Sequence, residues 1–320
     1  MFLVPDFKGF DFFPHGTRLD FMRFKGPALL LSFLAMAVSL GLVAFNGLNY
    51  GVDFKGGSLV EVQSKSGPAD LGFIREKTNG LGLGSVQIQS FGSPTDVLIR
   101  VEQQPGGEQA QQDALNKVVG SIGDSFIQRR VEVVGPAVSS ELRMTGIIAV
   151  VASLIAIIIY VWFRFEWQFA LGTIVALTHD VLVTVGIFSL FHMEFDLSIV
   201  AALLTILGYS VNDTVVVSDR IRENLRKFKK MDLTELLNLS INETLSRTLM
   251  TSVTTIAVLI ALYLFGGELI RNFTFAMLFG IVVGTYSSIF IAAPLLGYLG
   301  VKRDSVAPPV VGDAASAKKA

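Results

Sequence analysis

The sequence predicts a polytopic α-helical membrane protein with six transmembrane helices and one external α+β domain. Apolar side chains make up 51% of the 320 residues, and the charged ones, only 17%, gather between long apolar runs. Six of those runs can cross a hydrocarbon core of about 30 Å, which takes roughly 17–25 helical residues. Between the first and second lie about 95 residues, enough for one small domain, in which short strands and amphipathic helices replace the apolar runs.

Composition also excludes several classes of function. The net charge of −1 conceals the clustering of charge and identifies no partner, so nothing points to nucleic acid. With no cysteine there is no disulfide framework, thiolate metal site or cysteine nucleophile. Neither a metal nor a cofactor is expected.

The chain opens with a tail over 1–25 that carries Lys8, Arg18, Arg23 and Lys25. Span one follows at 26–45. Basic residues before an apolar run are also the mark of a signal peptide, but this run is too long for one. No small-residue cleavage site precedes "NGLNYG", so span one is expected to remain uncleaved.

The domain is expected over 46–143. "GSLVEVQS" alternates with a period of two and is rich in β-branched residues, as a strand requires. "PADLGFIREKTNGLG" reads as a helix opened by proline and closed by glycine. "SVQIQSFG" and "DVLIRVE" are strands joined through the turn-forming "GSPT". "GEQAQQDALNKVVGSIG" is amphipathic, with Ala114, Leu115, Val118 and Ile122 on one side, and "SFIQRRVEVVGP" supplies a last strand. The order βαββαβ is that of a split, ferredoxin-like unit. It holds no histidine and no cysteine, and its carboxylates are scattered, so a binding or mechanical module is expected there rather than an enzyme.

The membrane region, 144–299, contains spans two to six at 147–163, 169–191, 197–217, 249–265 and 273–299. Basic residues orient it. Arg164 lies between spans two and three, and Arg220, Arg222, Arg226, Lys227, Lys229 and Lys230 follow span four. Lys302 and Arg303 begin the tail over 300–320. The opposite loops hold only Arg271, so both termini are expected in the cytoplasm and the domain outside. The segment 219–246 should be cytoplasmic. Within it, "DLTELLNLSINETLSRT" begins like a capping box and aligns Leu233, Leu236, Leu237, Ile241 and Leu245, as an interfacial helix leading into span five would.

Polar residues within the spans are the functional candidates, because a charge at the bilayer centre costs about 2.5–3.5 kcal/mol on insertion scales. Along span four, Thr205, Tyr209, Asp213 and Arg220 fall on one helical face, with Asn212 beside them. Asp213 lies seven residues, about 10 Å, from Arg220, too deep for a short side chain to reach water. Whether it is charged is set by the balance between desolvation and a nearby cation. Arg247 opens a polar stripe through Thr248, Thr251, Ser252 and Thr255 on span five, where it can approach Asp213. Two readings stand: a titrating carboxylate whose partner changes with protonation, or a basic anchor beside a hydrogen-bonding aspartate that joins helices. Asp180, beside His179 in span three, is a second buried carboxylate, either a proton site or a pair satisfied between helices. Two intramembrane aspartates also raise an aspartyl protease, but "GYSVN" before Asp213 lacks the Gly-x-Gly-Asp context of such enzymes. Gly280, Gly284, Ser287 and Ser288 give span six a small-residue face for close helix contact.

Several stretches resemble one family, the SecF subunits of the bacterial SecDF protein-export complex, related to the resistance–nodulation–division transporters. They are "YGVDFKGG", "RFEW", "ALTHDVLVTVGIFSLF", "LGYSVNDTVVVSDRIREN", "SRTLMTS" and "GTYSSIFIAAPL". The resemblance runs over nearly the whole chain, and its span-four motif is long and specific. Lys55 departs from it, standing where a small polar residue such as threonine is expected. The resemblance implies a half-transporter that needs SecD as its other half. Its work would be to use proton motive force to draw preprotein to the periplasmic side of the inner membrane after SecA and the SecYEG channel begin transfer, with a YajC-type accessory subunit and membrane lipid as further partners. It implies proton-coupling roles for Asp213 and Arg247, with Tyr209 and Asn212 in support and Asp180 as a further candidate. In "YGVDFKGG", Gly51, Asp53, Gly56 and Gly57 would form a hinge. A proton-coupled efflux carrier and a purely structural assembly subunit are the alternatives.

Overall fold

The computed structural model describes residues 18–84 and 86–301. Lys8, Lys302 and Arg303, invoked above for orientation, lie outside the described residues. In chain order the elements are α1 (Lys25–Asn46), β1 (Asn49–Tyr50), α2 (Val52–Lys55), β2 (Gly57–Ser64), α3 (Leu71–Asn79), β3 (Val86–Phe91), β4 (Ser93–Val101), α4 (Gly107–Ile122) and β5 (Phe126–Val134). Then follow α5 (Pro136–Arg164), α6 (Trp167–Leu190), β6 (Glu194–Phe195), α7 (Leu197–Lys227), α8 (Leu233–Phe265), α9 (Arg271–Ser287) and α10 (Ala293–Tyr298).

Six helices among the described residues are long and apolar enough to cross a membrane, the last formed by α9 running into α10. They divide into two classes. Within the most apolar 18-residue stretch of each, about half of the residues are buried in α6 (50%), α7 (50%) and α9–α10 (56%), against 17%, 11% and 17% in α1, α5 and α8. The first three therefore form the protein's own core, while the others leave most of their apolar surface to whatever surrounds the bundle. Glycine permits the closest approaches. A methyl on Gly186 would lie 2.2 Å from Ser39 Oγ, and one on Gly280 would lie 2.3 Å from Ile206 Cδ1. No Cβ-bearing residue fits at either contact without displacing Ser39 or the Ile206 side chain. Between α9 and α10, Ser288–Ala292 forms a π turn, a form common at functional sites.

Between α1 and α5 the chain builds a four-stranded antiparallel sheet in the order β3-β4-β2-β5. Helices α3 and α4 cover one face, burying Val60, Val62, Ile74, Val97, Ile99 and Val118. Asp70 starts α3 by accepting the backbone N–H groups of Gly72 and Phe73. The other face is only partly apolar, with Val52, Leu59 and Leu98 as its buried centre. This face turns toward the α6–α7 connection, where β6 pairs in parallel with β1.

Two boundaries differ from those expected. Helix α5 begins at Pro136, eleven residues before the predicted span, because proline suits a first helical turn even where the polar "SSELR" gives no apolar signal. The sheet domain accordingly ends at Val134 rather than at 143. The segment 219–246 is not a separate interfacial helix either: α7 continues to Lys227, and α8 runs unbroken from Leu233 into its span. Leu236, Leu237, Ile241 and Leu245 are buried against Met22, Ile221, Leu225 and Leu296, so the apolar stripe is covered by protein rather than free for a membrane surface.

Candidate intramembrane polar site

Two caps set the start of α7. Asp196 accepts the Ile199 N–H at 3.2 Å, and Asp53 Oδ2 accepts the Leu197 N–H at 2.9 Å. From there helical periodicity sorts the side chains. Ile199, Leu203, Ile206, Ser210, Asp213, Thr214 and Val217 point into the protein. Ala201, Thr205, Gly208 and Asn212 are exposed on the opposite face, at spacings of four, three and four. The adjacent Asn212 and Asp213 thus look in different directions: the amide outward, the carboxylate inward.

Asp213 is 2% exposed. Its Oδ2 has no hydrogen-bond partner, and the buried polar atoms of Tyr209, Thr214 and Thr248 are likewise unpartnered. Four unsatisfied groups on α7 and α8 are a costly arrangement, since each buried group without a partner forfeits its hydration. Arg247 does not compensate for them in this structure. It is exposed on α8 and forms no ion pair with Asp213; together with Val216, Asp219, Arg220, Glu223, Glu243 and Thr244 it lines an open cleft of about 430 Å³.

The register of the two helices explains the separation. Arg220 Nε donates to Glu243 Oε2 at 2.7 Å, and Asn224 Nδ2 donates to Ser240 at 3.0 Å and to Glu243 at 2.7 Å. From this clamp Asp213 lies seven residues along α7 and Arg247 four along α8. The three-residue difference places the arginine about 4.5 Å, less than one turn, closer to the clamp.

Asp180, by contrast, is fully buried and well satisfied. His179 Nδ1 lies 3.0 Å from its Oδ1, while Ser210 and Ser287 donate their hydroxyls to Oδ2 at 2.6 and 2.8 Å. The carboxylate therefore ties α6, α7 and α9 together. Gly284 clears the space, since a methyl there would stand 3.0 Å from Ser210 Cβ and 3.6 Å from Asp180 Oδ2. Tyr286 extends the cluster to α1: it donates to the Ala28 carbonyl at 3.0 Å and lies 2.9 Å from Ser32 Oγ. Sequence reasoning marked Asp180, His179 and Ser287 separately and missed Ser210. That serine sits inside the conspicuous "GYSVND", but its partner is thirty residues away.

The expected hinge residues gather where the sheet domain meets the bundle. Gly56 and Gly57 have φ of 76° and 119°, in the region that favours glycine, and they turn the chain into β2. Gly51 serves a different need. Its φ is −69°, and a Cβ there would approach Glu194 Oε1 to 2.9 Å and Asp196 Cβ to 3.0 Å. It allows close docking rather than unusual dihedrals. Asp53 reaches across as the second cap of α7. Arg100 and Glu194, which the sequence did not single out, form an ion pair at the same joint.

Comparisons with known proteins agree with this architecture. Residues 114–302 match the model of the protein export membrane protein SecD/SecF, C-terminal, and residues 41–67 match the SecD/SecF GG motif. The protein translocase subunit SecF of Vibrio alginolyticus is 44% identical over 92% of this chain and 93% of its own length. SecF of Escherichia coli O157:H7 is 42% identical over 91% of each. The protein translocase subunit SecDF of Brucella abortus is 47% identical over 90% of this chain, which spans only 38% of that relative. A crystal structure of SecDF from Thermus thermophilus, a translocon-associated membrane protein, superposes with a TM-score of 0.79 at 35% identity, over 89% of this chain and 39% of that one. On these matches the chain belongs to the SecD/SecF family of protein-export membrane proteins.

Proposed function

We propose that this chain is a SecF-like subunit of the Sec translocase that, together with SecD, uses proton motive force to move preprotein across the bacterial inner membrane. The observation that carries this reading is the buried, unpartnered carboxylate of Asp213, on a helix whose opposite face is small and polar. A lipid-facing helix has no reason to present Thr205, Gly208 and Asn212 together; a homologous half packed against α7 has. The relatives named SecDF, of which this chain spans about two fifths, support SecD as that half. SecYEG, SecA, the YajC-type subunit and the preprotein enter as the partners that Sec membership implies.

In this reading both termini are cytoplasmic and the βαββαβ, ferredoxin-like domain faces the periplasm. Asp213 is the proton-carrying group. Neutral, it tolerates its present surroundings; ionised, it needs a cation. Arg247 becomes that cation when α7 and α8 shift by less than one turn. Tyr209, one turn away on α7, is the supporting group beside it, while Asn212 supports from the outward face that meets the partner half. Asp180, through Ser210 and Ser287, ties α7 to α6 and α9, so that the three move as one against α8. One proton entering along the field is worth about 2.3 kcal/mol per 100 mV, the scale of a two-state bias between helix registers. Gly56 and Gly57 then let the domain turn as α7 moves.

The test is export of a secreted preprotein in cells whose native copy is replaced by Asp213→Asn at equal membrane abundance. Export falling to the level of the deletion supports the reading, and export at the wild-type level refutes it. Co-purification with SecD separates it from a stand-alone efflux carrier.

A further inference from the structure

The joint between the sheet and the α6–α7 connection contains a charged pair that the proposed coupling of Asp213 to the domain does not by itself require. Arg100 projects from the open face of β4, and its guanidinium contacts Glu194 Oε1 on β6. Their side chains are 15% and 21% exposed, so the pair is largely desolvated. The two-residue β1–β6 ladder, the Gly51 N–H donated to the Phe195 carbonyl, and the Asp53 cap on Leu197 flank it. The loop that presents Glu194 is itself held in an unusual turn. His192 has φ of 50°, and Asn49 Nδ2 donates to its carbonyl at 3.1 Å.

Beside the pair the two bodies separate around a polar cleft of about 500 Å³. Asp53, Arg130, Glu132, His192 and Asp196 line it, a polar lining suited to water rather than to apolar packing between sheet and bundle. The segment 49–55 that leads into the sheet is firmly docked, through the short ladder, the Asp53 cap and the packing of Tyr50 and Phe54 on Phe195. Beyond Gly56–Gly57, among the described residues, the sheet itself is tied to the connection by an ion pair that spans the chain from position 100 to position 194. A buried pair of this kind gives up hydration on both sides and is close to balanced against its open, solvated state. Burial in fact raises the Glu194 carboxyl above its ordinary range, even though Arg100 beside it, the next largest influence, lowers it. Such a contact fixes orientation while remaining easy to open.

We infer that Arg100 and Glu194 form a charge latch that holds the open face of the sheet on the α6–α7 connection and releases the domain to turn about Gly56–Gly57. This rests on the proposed function for its purpose, but the latch itself is a statement about two residues. Arg100 and Glu194 are positioning residues; neither touches a proton path.

The chain has no cysteine, so two introduced labels are unique within it. Spin labels at Gln89→Cys on the sheet and Leu269→Cys on the bundle, both lining the cleft, report its width in the full chain reconstituted with its partner half. Arg100→Glu and Glu194→Arg are each expected to lengthen and broaden the distance distribution and to lower export several-fold. The exchanged double variant should restore both. Glu194→Gln, which keeps the shape of the side chain and stands in for the protonated carboxyl, should leave the cleft no wider than in wild type and guards against misfolding. Distances unchanged in both single variants would overturn the latch, as would a double variant no better than the worse single one. If the distances respond as stated while Asp213→Asn exports normally, the latch stands and the proton-coupling reading fails.

Discussion

Ser210 donates its hydroxyl to Asp180 Oδ2 at 2.6 Å, which joins α7 to α6 at the centre of the bundle. Three residues further along α7, Asp213 has an Oδ2 with no hydrogen-bond partner within the chain. Two buried carboxylates thus meet opposite fates on one helix–helix contact, and that contrast is what the proposed roles, structural for Asp180 and functional for Asp213, are built on.

Replacement of Asp180 should therefore act on folding. Asp180→Ala strands Ser210, Ser287 and His179 and is expected to cost on the order of 3 kcal/mol or more. Asp180→Asn keeps an acceptor for both serines and offers a donor to a neutral His179, so it should cost about half of that or less. Thermal unfolding in detergent, followed with the amount of protein in the membrane, measures both. Equal losses would show that the carboxylate charge, not its hydrogen bonding, holds the helices.

Replacement of Asp213 should do the reverse. Removing a buried group without a partner relieves a cost, so Asp213→Asn and Asp213→Leu are expected to leave thermal stability unchanged or slightly raised while export is lost. A large fall in stability would make the residue a packing element.

The glycines give a paired test of which faces are covered. Gly186→Ala drives a methyl into Ser39 and should cost about 1–3 kcal/mol by overpacking, whereas Gly41, with open space around it, tolerates alanine. Gly208 also has open space within this chain, yet it lies in the small, polar stripe of α7. Gly208→Leu is expected to leave the isolated chain as stable as before and to reduce co-purification of SecD. Undiminished association would place the partner half elsewhere.

The Glu194 joint should depend on pH in a definite direction. Its carboxyl is raised when docked, chiefly through burial, with Asp196 and Asp53 adding to the effect and Arg100 opposing it. The docked state therefore holds the proton more tightly than an open state in which Glu194 meets water. Docking is firmest below the ordinary carboxylate range and weakens as pH rises through the raised value. The same spin-label distance across the cleft, measured from acid to neutral pH, should lengthen, and Glu194→Gln should flatten the profile. Shortening with rising pH would mean that the attraction of Arg100 outweighs burial.

Much of this was legible in the sequence because it is local. The apolar runs marked all six spans, and period-two and amphipathic patterns gave the βαββαβ order. Helix ends set by chemistry other than hydropathy were not legible: Pro136 starts α5 in a polar stretch, and "DLTELL" is covered by protein that only the fold brings near. At the site, the conflict between a carboxylate and its apolar neighbours exposed Asp213 and Asp180 from the sequence alone. Ser210, Arg100 and Glu194 were hidden because an ordinary serine, arginine or glutamate gains meaning only from a partner distant in the chain. The inference that Arg247 can approach Asp213 was a matter of face and entry side. The Arg220–Glu243 clamp, which sets their offset, joins residues that only the fold brings together.

The most direct test of the central claim is preprotein export by sealed membranes under an imposed proton gradient, with wild type and Asp213→Asn at equal abundance. Wild-type export should accelerate when the gradient is applied, and Asp213→Asn should export at the gradient-free rate whether or not it is present. An Asp213→Asn variant that responds to the gradient as wild type does would contradict the account.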